Sequence, residues 1–236
     1  MILGHIGARK GSKGVPDKNF RLIAGKALID WSLDQLFECP YVDYVVVSTD
    51  DERIYDHAIA RGSLDIGLRP AHLATDTAPK WGVWQHALEM GEAKLGKPMS
   101  TFLDLDCTSP LRIPDDIVAA IAIYRAEKPD MVMSVCEARK NPYFNLVEAD
   151  GTGALHVSKP LPTGVWTRQG APKVWEHAAS TYVLNTAYLR QAKSIYDGRV
   201  IPFEMPIERC LDIDSPFDFK LVEMLLNERL SAETVR

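Results

Sequence analysis

The sequence predicts an α/β domain of three layers, α/β/α, in which helices cover both faces of a mostly parallel central sheet. Short apolar runs rich in β-branched residues, such as 44–47 and 131–135, recur with helix-length segments between them. Strands that alternate with helices are joined by right-handed crossovers, which makes neighbouring strands parallel. Polar residues directly follow several of these runs, at the strand ends where parallel sheets bind ligands. The 236 residues are enough for one such domain with a full core.

Strands and helices are predicted in alternation. The strands cover 1–6, 44–47, 102–106, 131–135, 181–184 and 200–205, and the helices cover 27–38, the segment from Asp50, 80–94, 114–128, 186–194 and the C-terminal segment. The last helix has Ser215 as N-cap, a proline at its first position and Asp218 completing a capping box. Its predicted buried face comprises Phe217, Leu221, Met224 and Leu225.

Residues 137–175 interrupt this alternation. They are rich in Pro, Gly and polar residues, with short extended pieces around 144–147 and 155–157. A segment of that length without regular structure is usually functional or packed on a partner. We therefore interpret 137–175 as an insert in a single domain of residues 1–236, with Trp166 and Trp175 as candidate buried anchors of an interface.

Composition and charge exclude several classes of function. A net charge of −5 argues against a non-specific nucleic-acid binder, so no nucleic-acid partner is expected. No run of about twenty apolar residues occurs and no signal-peptide pattern is present, so no membrane partner is expected. The four cysteines form no C-x-x-C motif and the six histidines show no metal-ligand spacing. We expect reduced thiols, a cytoplasmic location and no histidine-based zinc site.

The most informative segment is the basic, glycine-rich loop 7–19, which follows the first predicted strand. Its glycines let the backbone approach a ligand closely, and its lysines and arginine are suited to phosphate oxygens. The glycine spacing fits neither a Walker A loop nor a dinucleotide-binding fingerprint. The loop predicts a nucleoside triphosphate as ligand, and a solvated basic turn is the alternative.

This loop resembles the N-terminal signature A-R-x-x-S-K-G-x-P-x-K-N of the CMP-sugar synthetases, the acylneuraminate cytidylyltransferase family. The residues in register are Ala8, Arg9, Ser12, Lys13, Gly14, Pro16, Lys18 and Asn19. Further motifs resemble the family in order: V-S-T-D-D at 47–51, R-P-A-E-L-A-x-D-T at 69–77 with His72 in place of Glu, T-S-P-L-R at 108–112 and D-I-D-[ST] at 212–215. The resemblance spans essentially the whole chain. It implies a Rossmann-like nucleotidyltransferase fold and transfer of CMP from CTP to the anomeric hydroxyl of a 2-keto-3-deoxy sugar acid, with release of pyrophosphate.

The same resemblance implies a nucleotide site drawn from several motifs. Arg9 and Lys13 would neutralise the β- and γ-phosphates and Lys18 would reach the α-phosphate, so these cations are candidate catalytic residues. Arg69 would read the cytosine base, and the alternative is a structural clamp on the loop that follows it. The nucleotide-binding set is Ala8, Arg9, Ser12, Lys13, Lys18, Asn19, Arg69, Thr108 and Ser109.

Asp212 and Asp214 are the candidate ligands of a Mg²⁺ cofactor. Residues two apart on a strand project to the same side, and Mg²⁺ favours one or two carboxylates together with phosphate oxygens and waters. The spacing alone is weak evidence, since Asp214 could instead cap the last helix, and it is the resemblance that implies the metal site. Asp214 is also a catalytic candidate, because it could activate the acceptor hydroxyl through a metal-bound water. No dedicated general base stands out.

The acceptor side departs from the family pattern. The candidate acceptor-binding residues are Asp106, Arg112, Arg168, Gln169 and Tyr182. The resemblance implies that Arg168 holds the carboxylate of the sugar acid bidentately and that Tyr182 lies beside it. The departures are Asp106 in place of Gln, Phe144 in place of Lys and Ala178 in place of Asn. They make a legionaminate, a pseudaminate or an octulosonate at least as good a candidate acceptor as N-acetylneuraminate.

Asp106 is the departure with the clearest electrostatic consequence. A carboxylate there repels a sugar acid unless a cation intervenes. Asp106 would therefore join the metal shell, face a hydrogen-bond donor of the acceptor, or simply lie in solvent or cap a helix.

In the family the insert packs across a homodimer and helps close the neighbour's sugar pocket, so 137–175 implies a homodimer or a tetramer. Two other functions stay open. A guanylyl- or uridylyltransferase acting on a sugar 1-phosphate would have no need of Arg168. A non-catalytic nucleotide-binding homologue would explain Asp106 and Ala178 as decay, and the intact Lys13 and Asp212 argue against it.

Overall fold

Strands and helices alternate along residues 1–11 and 14–234, which are the residues that the computed structural model describes. The strands are β1 (Ile2–Gly7), β2 (Leu22–Ile23), β3 (Lys26–Ala27), β4 (Tyr44–Ser48), β5 (Thr101–Leu105), β6 (Met131–Glu137), β7 (Val147–Ala149), β8 (Leu155–Val157), β9 (Trp175–Asn185) and β10 (Val200–Glu204). The helices are α1 (Leu28–Glu38), α2 (Glu52–Ala60), α3 (Lys80–Leu95), α4 (Pro114–Glu127), α5 (Thr186–Gln191) and α6 (Pro216–Thr234). Short 3-10 helices cover Lys18–Phe20, Ala71–Leu73, Arg168–Gly170 and Ile207–Arg209.

The central sheet has six strands in the order β10–β6–β9–β5–β1–β4. β1 pairs in parallel with β4 and β5, and β10 pairs in parallel with β6, whereas β9 is antiparallel to both of its neighbours. The predicted mostly parallel sheet is therefore confirmed. The carboxyl ends of β1, β4 and β5 meet at one edge, and the first half of β9 reaches the same edge because that strand runs the other way.

Two helix layers cover this sheet, as the alternation predicts. α1, α2 and α4 pack on one face through buried side chains such as Leu33, Ile54 and Ile121. α3 and α5 pack on the other face through Trp84 and Leu189. Because both faces of the strands are covered, the strands are nearly continuous apolar runs, which is why they could be recognised in the sequence.

The C-terminal helix α6 begins with the predicted capping box but buries a different face. The backbone N–H of Ser215 donates to Asp218 Oδ2 at 2.7 Å, and the Asp218 N–H donates to Ser215 Oγ at 3.2 Å. With the first turn oriented in this way, Phe217 is 73% exposed and Met224 is 51% exposed, so the prediction that they are buried is wrong. The side chains that α6 buries are Phe219, Val222 and Leu226.

The insert 137–175 connects the neighbouring strands β6 and β9. Glu137 and Trp175 are paired at its base, and β7 and β8 form an antiparallel hairpin within it. Large apolar side chains of the insert lie at the surface, since Trp166 is 88% exposed and Leu155 is 71% exposed. Neither predicted tryptophan anchor is buried within the single chain, so only contact with another molecule could bury them.

The four cysteines are free thiols, as predicted. Among the helices of residues 1–11 and 14–234, none has both the length and the apolar content needed to cross a bilayer.

Candidate active site

The basic loop lies at the carboxyl edge of the sheet and is held there by backbone contacts. The Ala8 N–H donates to the carbonyl of Ser48 at the end of β4, at 3.0 Å. Asn19 closes the loop by donating from Nδ2 to the Arg9 carbonyl at 3.1 Å. Ser12 and Lys13, which are predicted to bind the nucleotide, lie outside the described residues.

Lys18 joins this loop to the acidic segment before α6. Its Nζ donates to the Ile213 carbonyl at 2.5 Å and lies 3.7 Å from Asp214 Oδ1. Gly14 approaches the same segment so closely that a Cβ there would lie 1.8 Å from the Asp214 carbonyl oxygen. Motifs from opposite ends of the sequence thereby share one cavity of about 280 Å³. The cavity is lined by Gly7, Ala8, Arg9, Gly14, Lys18, Asn19, Cys107, Thr108 and Asp214.

Asp212 and Asp214 lie in an irregular segment, so the strand geometry that would project both carboxylates to one side does not apply to them. Ile213 between them is fully buried, whereas Asp212 is half-buried and Asp214 is exposed. Burial, followed by the charge of Asp214, raises the pKa of Asp212 above its ordinary value. Within the described ranges no group of three or more His, Cys, Asp or Glu could hold a metal. A cation here would therefore rely on this pair, with its other ligands coming from substrate and water.

Arg69 forms part of a second cavity beside the first. Its Nε donates to Ser48 Oγ at 2.9 Å and its Nη2 donates to the Ser48 carbonyl at 2.5 Å, which fixes the guanidinium at the end of β4. Arg9 also lines this cavity and pairs with Asp76 at 2.6 Å. The cavity has a volume of about 230 Å³ and is lined by His5, Gly7, Arg9, Arg69, Leu73, Thr75, Asp76, Ala78, Lys80, Val83, Trp84 and Asp106. Because Gly7 and Arg9 line both cavities, the two adjoin.

Lys80, at the start of α3, is a site residue that the sequence reasoning missed. Its Nζ lies 3.0 Å from Asp104 Oδ2, 2.5 Å from Asp106 Oδ2 and 4.3 Å from the centre of the Tyr182 ring. Burial alone would lower the pKa of Lys80, but the two carboxylates outweigh it and raise that pKa above its usual range. Asp106 therefore has a cation beside it, which offsets the repulsion that a lone carboxylate would exert on a sugar acid. The sequence feature that could have indicated such a cation is the spacing of Asp104 and Asp106, since two carboxylates on one side of a buried strand need a positive charge beside them.

Three predicted contact residues are buried beneath the site instead of lining it. Arg112 donates from Nη1 to the Ser180 carbonyl at 2.8 Å, and Ser109 donates from Oγ to the Ala179 carbonyl at 2.6 Å. The Tyr182 hydroxyl is hydrogen-bonded to His177 Nε2 at 2.9 Å. These three side chains line neither cavity, and the predicted contacts of Arg112 and Tyr182 with the acceptor, and of Ser109 with the nucleotide, stay predictions. Arg112 and Ser109 brace the turn after β5 against β9, and a motif alone does not indicate which of its side chains turn into the core.

Arg168 and Gln169 lie in a 3-10 helix of the insert, away from both cavities. Arg168 donates from Nη2 to the Arg139 carbonyl at 2.7 Å. It lines an open groove of about 600 Å³ that shares no lining residue with the two cavities. Ala178 is buried in the sheet. Arg168 and Asp106 therefore line different cavities of the single chain. The groove is lined by Glu137, Ala138, Arg139, Lys140, Arg168, Glu204, Met205, Pro206, Ile207 and Glu208.

Known proteins are similar to this chain in sequence. Residues 4–163 match a family model described as Cytidylyltransferase. The chain is 37% identical over 229 residues to "Post-translational flagellin modification protein B" of Campylobacter coli, covering 97% of this chain and 96% of the relative. It is 36% identical over 226 residues to "CMP-N,N'-diacetyllegionaminic acid synthase" of Campylobacter jejuni, covering 96% of this chain and 95% of the relative.

A solved structure shares the fold. It is that of a CMP:2-keto-3-deoxy-manno-octonic acid synthetase complexed with CTP, with a TM-score of 0.68 at 16% identity, covering 97% of this chain and 99% of that chain. At that identity the likeness concerns the fold, and it confirms the predicted nucleotidyltransferase architecture. The family assignment comes from the sequence, in which the matched model spans most of the chain and the two Campylobacter relatives align along nearly their whole length. On these grounds the chain belongs to the cytidylyltransferase family.

Proposed function

We propose that this protein transfers CMP from CTP to the anomeric hydroxyl of a nonulosonic acid and releases pyrophosphate. The observation that carries the proposal is Lys18, which joins the basic loop to the acidic segment at a cavity adjoining that of Arg69. A triphosphate needs cations and a base needs a pocket, and the two cavities offer both. Similarity to the relative named for CMP-N,N'-diacetyllegionaminic acid favours an acceptor of the legionaminic acid kind. The replacements at Asp106 and Phe144 favour it over N-acetylneuraminate.

In this reaction the acceptor oxygen attacks the α-phosphorus of CTP. A new O–P bond forms, the bond to the bridging oxygen breaks, and negative charge grows on the departing pyrophosphate. Such a transfer depends chiefly on positioning and charge stabilisation. We assign Arg9 and Lys13 to the β- and γ-phosphates and Lys18 to the α-phosphate. Asp214 lies at the cavity and is the carboxylate that we assign to activate the acceptor hydroxyl, whose proton passes to solvent.

Mg²⁺ is the cofactor that we propose for the acidic pair. Carboxylate oxygens are the ligands that this hard cation prefers, and the raised pKa of Asp212 fits a carboxylate that lacks a compensating charge. When bound by Asp212 and Asp214, the ion would supply charge neutralisation on the triphosphate. The cations of the loop would complete that neutralisation.

The protein acts, in this proposal, as a homodimer in the cytoplasm. Arg168 lies in a groove separate from the nucleotide cavities, and the apolar side chains of the insert are exposed. Both observations are explained if the insert of one subunit packs on the other and places Arg168 against the carboxylate of the acceptor there. Asp106, with Lys80 beside it, would then accept a hydrogen bond from an amide or hydroxyl of the acceptor. Four free thiols fit a reducing compartment.

The test is pyrophosphate release in the presence of Mg²⁺, with the four nucleoside triphosphates crossed against a panel of 3-deoxy-ulosonic acids. The proposal expects release with CTP and a diacetylated nonulosonic acid, and little with a sugar 1-phosphate. If pyrophosphate is released from GTP or UTP with a sugar phosphate, but not from CTP with any acceptor, the protein is instead a guanylyl- or uridylyltransferase. Binding of CTP without release from any acceptor would indicate a non-catalytic binder.

A further inference from the structure

His5 is a buried side chain in the Arg69 cavity to which the proposed mechanism gives no role. It is 1% exposed, and its Nδ1 lies 2.5 Å from Asp104 Oδ1. Its Nε2 is buried and has no hydrogen-bond partner among the residues that the structure describes. A buried polar atom without a partner costs free energy, so native structures rarely keep one that has no role. We infer that His5 reads the exocyclic amine of cytosine, and that Asp104 and Lys80 fix the tautomer in which it does so.

The inference rests on the proposed use of this cavity for the base of CTP. The protonation states of His5 and Asp104 determine which nitrogen of the imidazole can accept a hydrogen bond. Burial lowers the pKa of His5, so the imidazole is neutral at neutral pH. Burial opposes the charged form of Asp104, but Lys80 and His5 outweigh it and lower the pKa of that carboxyl, so it is ionised. An ionised carboxylate only accepts hydrogen bonds, which places the single imidazole proton on Nδ1 and leaves a lone pair on Nε2.

The edge of the His5 imidazole lies near the Arg69 guanidinium, on the side that faces Gly7. A Cβ added at Gly7 would lie 3.4 Å from His5 Cε1 and 3.4 Å from Arg69 Nη2. The edge of the imidazole and the guanidinium therefore border the same space, which is open because residue 7 has no side chain. His5 and Arg69 both line the cavity there, so a ligand that enters it meets the edge of an imidazole next to a guanidinium donor.

The pairing edges of cytosine and uracil differ in the hydrogen-bonding groups that they offer. The pairing edge of cytosine carries an amine donor at N4 and acceptors at N3 and O2. Uracil carries an acceptor at the position of that amine. The Nε2 lone pair would accept from the cytosine amine and repel the uracil oxygen, while Arg69 donates to the acceptors. His5 is thereby a specificity-determining residue, and Asp104 is a positioning residue that acts through it.

Asp104→Asn is the sharpest test, because the orientation of the new amide is dictated by a neighbour. Lys80 Nζ lies 3.0 Å from Asp104 Oδ2, so the amide oxygen of the variant would turn to Lys80 and its NH₂ to His5. An NH₂ donor at Nδ1 forces the imidazole proton onto Nε2, which then favours the uracil oxygen over the cytosine amine. We expect the ratio of CTP to UTP affinity to fall by about tenfold or more, with UTP binding strengthened. Both affinities are measured by titrating CTP and UTP while the intrinsic tryptophan fluorescence is recorded. Trp84 lines the cavity and contributes to that signal.

His5→Phe is the second variant and does not depend on the tautomer. It keeps an aromatic ring and removes the acceptor, so CTP binding weakens while UTP binding does not, and discrimination falls. The matched control is Asp30→Asn, since Asp30 holds His57 at 2.7 Å in a histidine–aspartate pair that lines neither cavity. The control is expected to keep the wild-type ratio.

The outcomes separate the inference from the proposed function. If the wild-type protein does not prefer CTP to UTP, the proposed function itself fails. If it prefers CTP and both variants, folded by circular dichroism, keep the wild-type ratio, the role of His5 is wrong and the proposed function stands. An equal loss of both nucleotides in both variants also overturns the inference, because a purely structural role predicts that result.

Discussion

The nucleotide side and the acceptor side of the site are built in different ways. Arg69 is 8% exposed and is fixed by two hydrogen bonds to Ser48 within the same chain. Arg168 is exposed, lies in the insert and donates to the Arg139 carbonyl. The first guanidinium is fixed within one chain, whereas the second is held at the exposed surface of the insert. Under the proposed homodimer, the difference means that nucleotide binding depends on one chain and acceptor binding on the assembly.

Lys18→Ala is expected to have the largest effect, because it acts on the part of the site that is complete within one chain. Loss of this cation removes charge stabilisation that grows in the transition state, so turnover should fall by about a hundredfold to a thousandfold with the fold retained. Steady-state pyrophosphate release measures it, and circular dichroism checks the fold. Lys220→Ala, on the exposed side of α6, is the control and should keep full turnover. Wild-type turnover in Lys18→Ala would contradict the assignment of the nucleotide side.

Arg168→Ala sharpens the comparison from the other side. It should lower kcat/KM for the acid acceptor by about a hundredfold, because a bidentate contact to a carboxylate is lost, while the affinity for CTP is unchanged. Mixing this variant with Lys18→Ala tests where Arg168 acts. If the partner supplies it, mixed dimers hold one intact site, and an equimolar mixture recovers about a quarter of wild-type activity. A mixture no more active than its components would place Arg168 in the site of its own chain.

Lys80→Met tests the charge network under the nucleotide side. The substitution leaves Asp104 buried without its cation, so the free energy of unfolding should fall by about 2 kcal/mol at pH 7. This decrease is smaller than for a fully buried ion pair because Lys80 is partly exposed. In the wild-type protein the lowered pKa of Asp104 contributes stability at neutral pH that is lost as the pH falls through that pKa. Without Lys80, only His5 opposes the effect of burial, so we expect the pKa of Asp104 to be higher in the variant and acidification to cost it less stability than it costs the wild type.

The difference in stability between wild type and Lys80→Met should therefore shrink from pH 7 to about pH 4.5 in urea unfolding. Lys94→Met is the matched control, because Lys94 pairs with Asp65 at 3.2 Å on the surface. It should cost less than about 1 kcal/mol at either pH. A difference that does not change with pH would mean that Lys80 contributes through packing and not through charge.

The nucleotide side was largely predictable because its motifs are local. A glycine-rich loop that follows a strand lies at the carboxyl edge of a parallel sheet, so the place of Lys18 followed from the order of elements. The place of Asp214 at the same cavity followed only from the family resemblance. Lys80 could not be predicted in the same way, because only the packing of α3 on the sheet brings it to Asp104. The inward turn of Arg112 also depends on packing, since its side-chain hydrogen bonds are made to α1, to β9 and to the Asp106 carbonyl, all outside its own motif.

Trp166→Ala is expected to have the smallest effect and bears most directly on the acceptor side. The side chain is 88% exposed in the single chain, so its loss should not change the thermal midpoint of the subunit or its affinity for CTP. If the insert packs on a partner, removing this ring should raise the dissociation constant of the dimer by about tenfold, as measured by sedimentation velocity across a dilution series. The KM for the acceptor should then depend on protein concentration in the variant. Tyr196→Ala, which removes an exposed aromatic side chain outside the insert, is the control. An unchanged dissociation constant would mean that the ring lies outside the interface, and the dependence of the acceptor side on a second subunit would then rest on Arg168 alone.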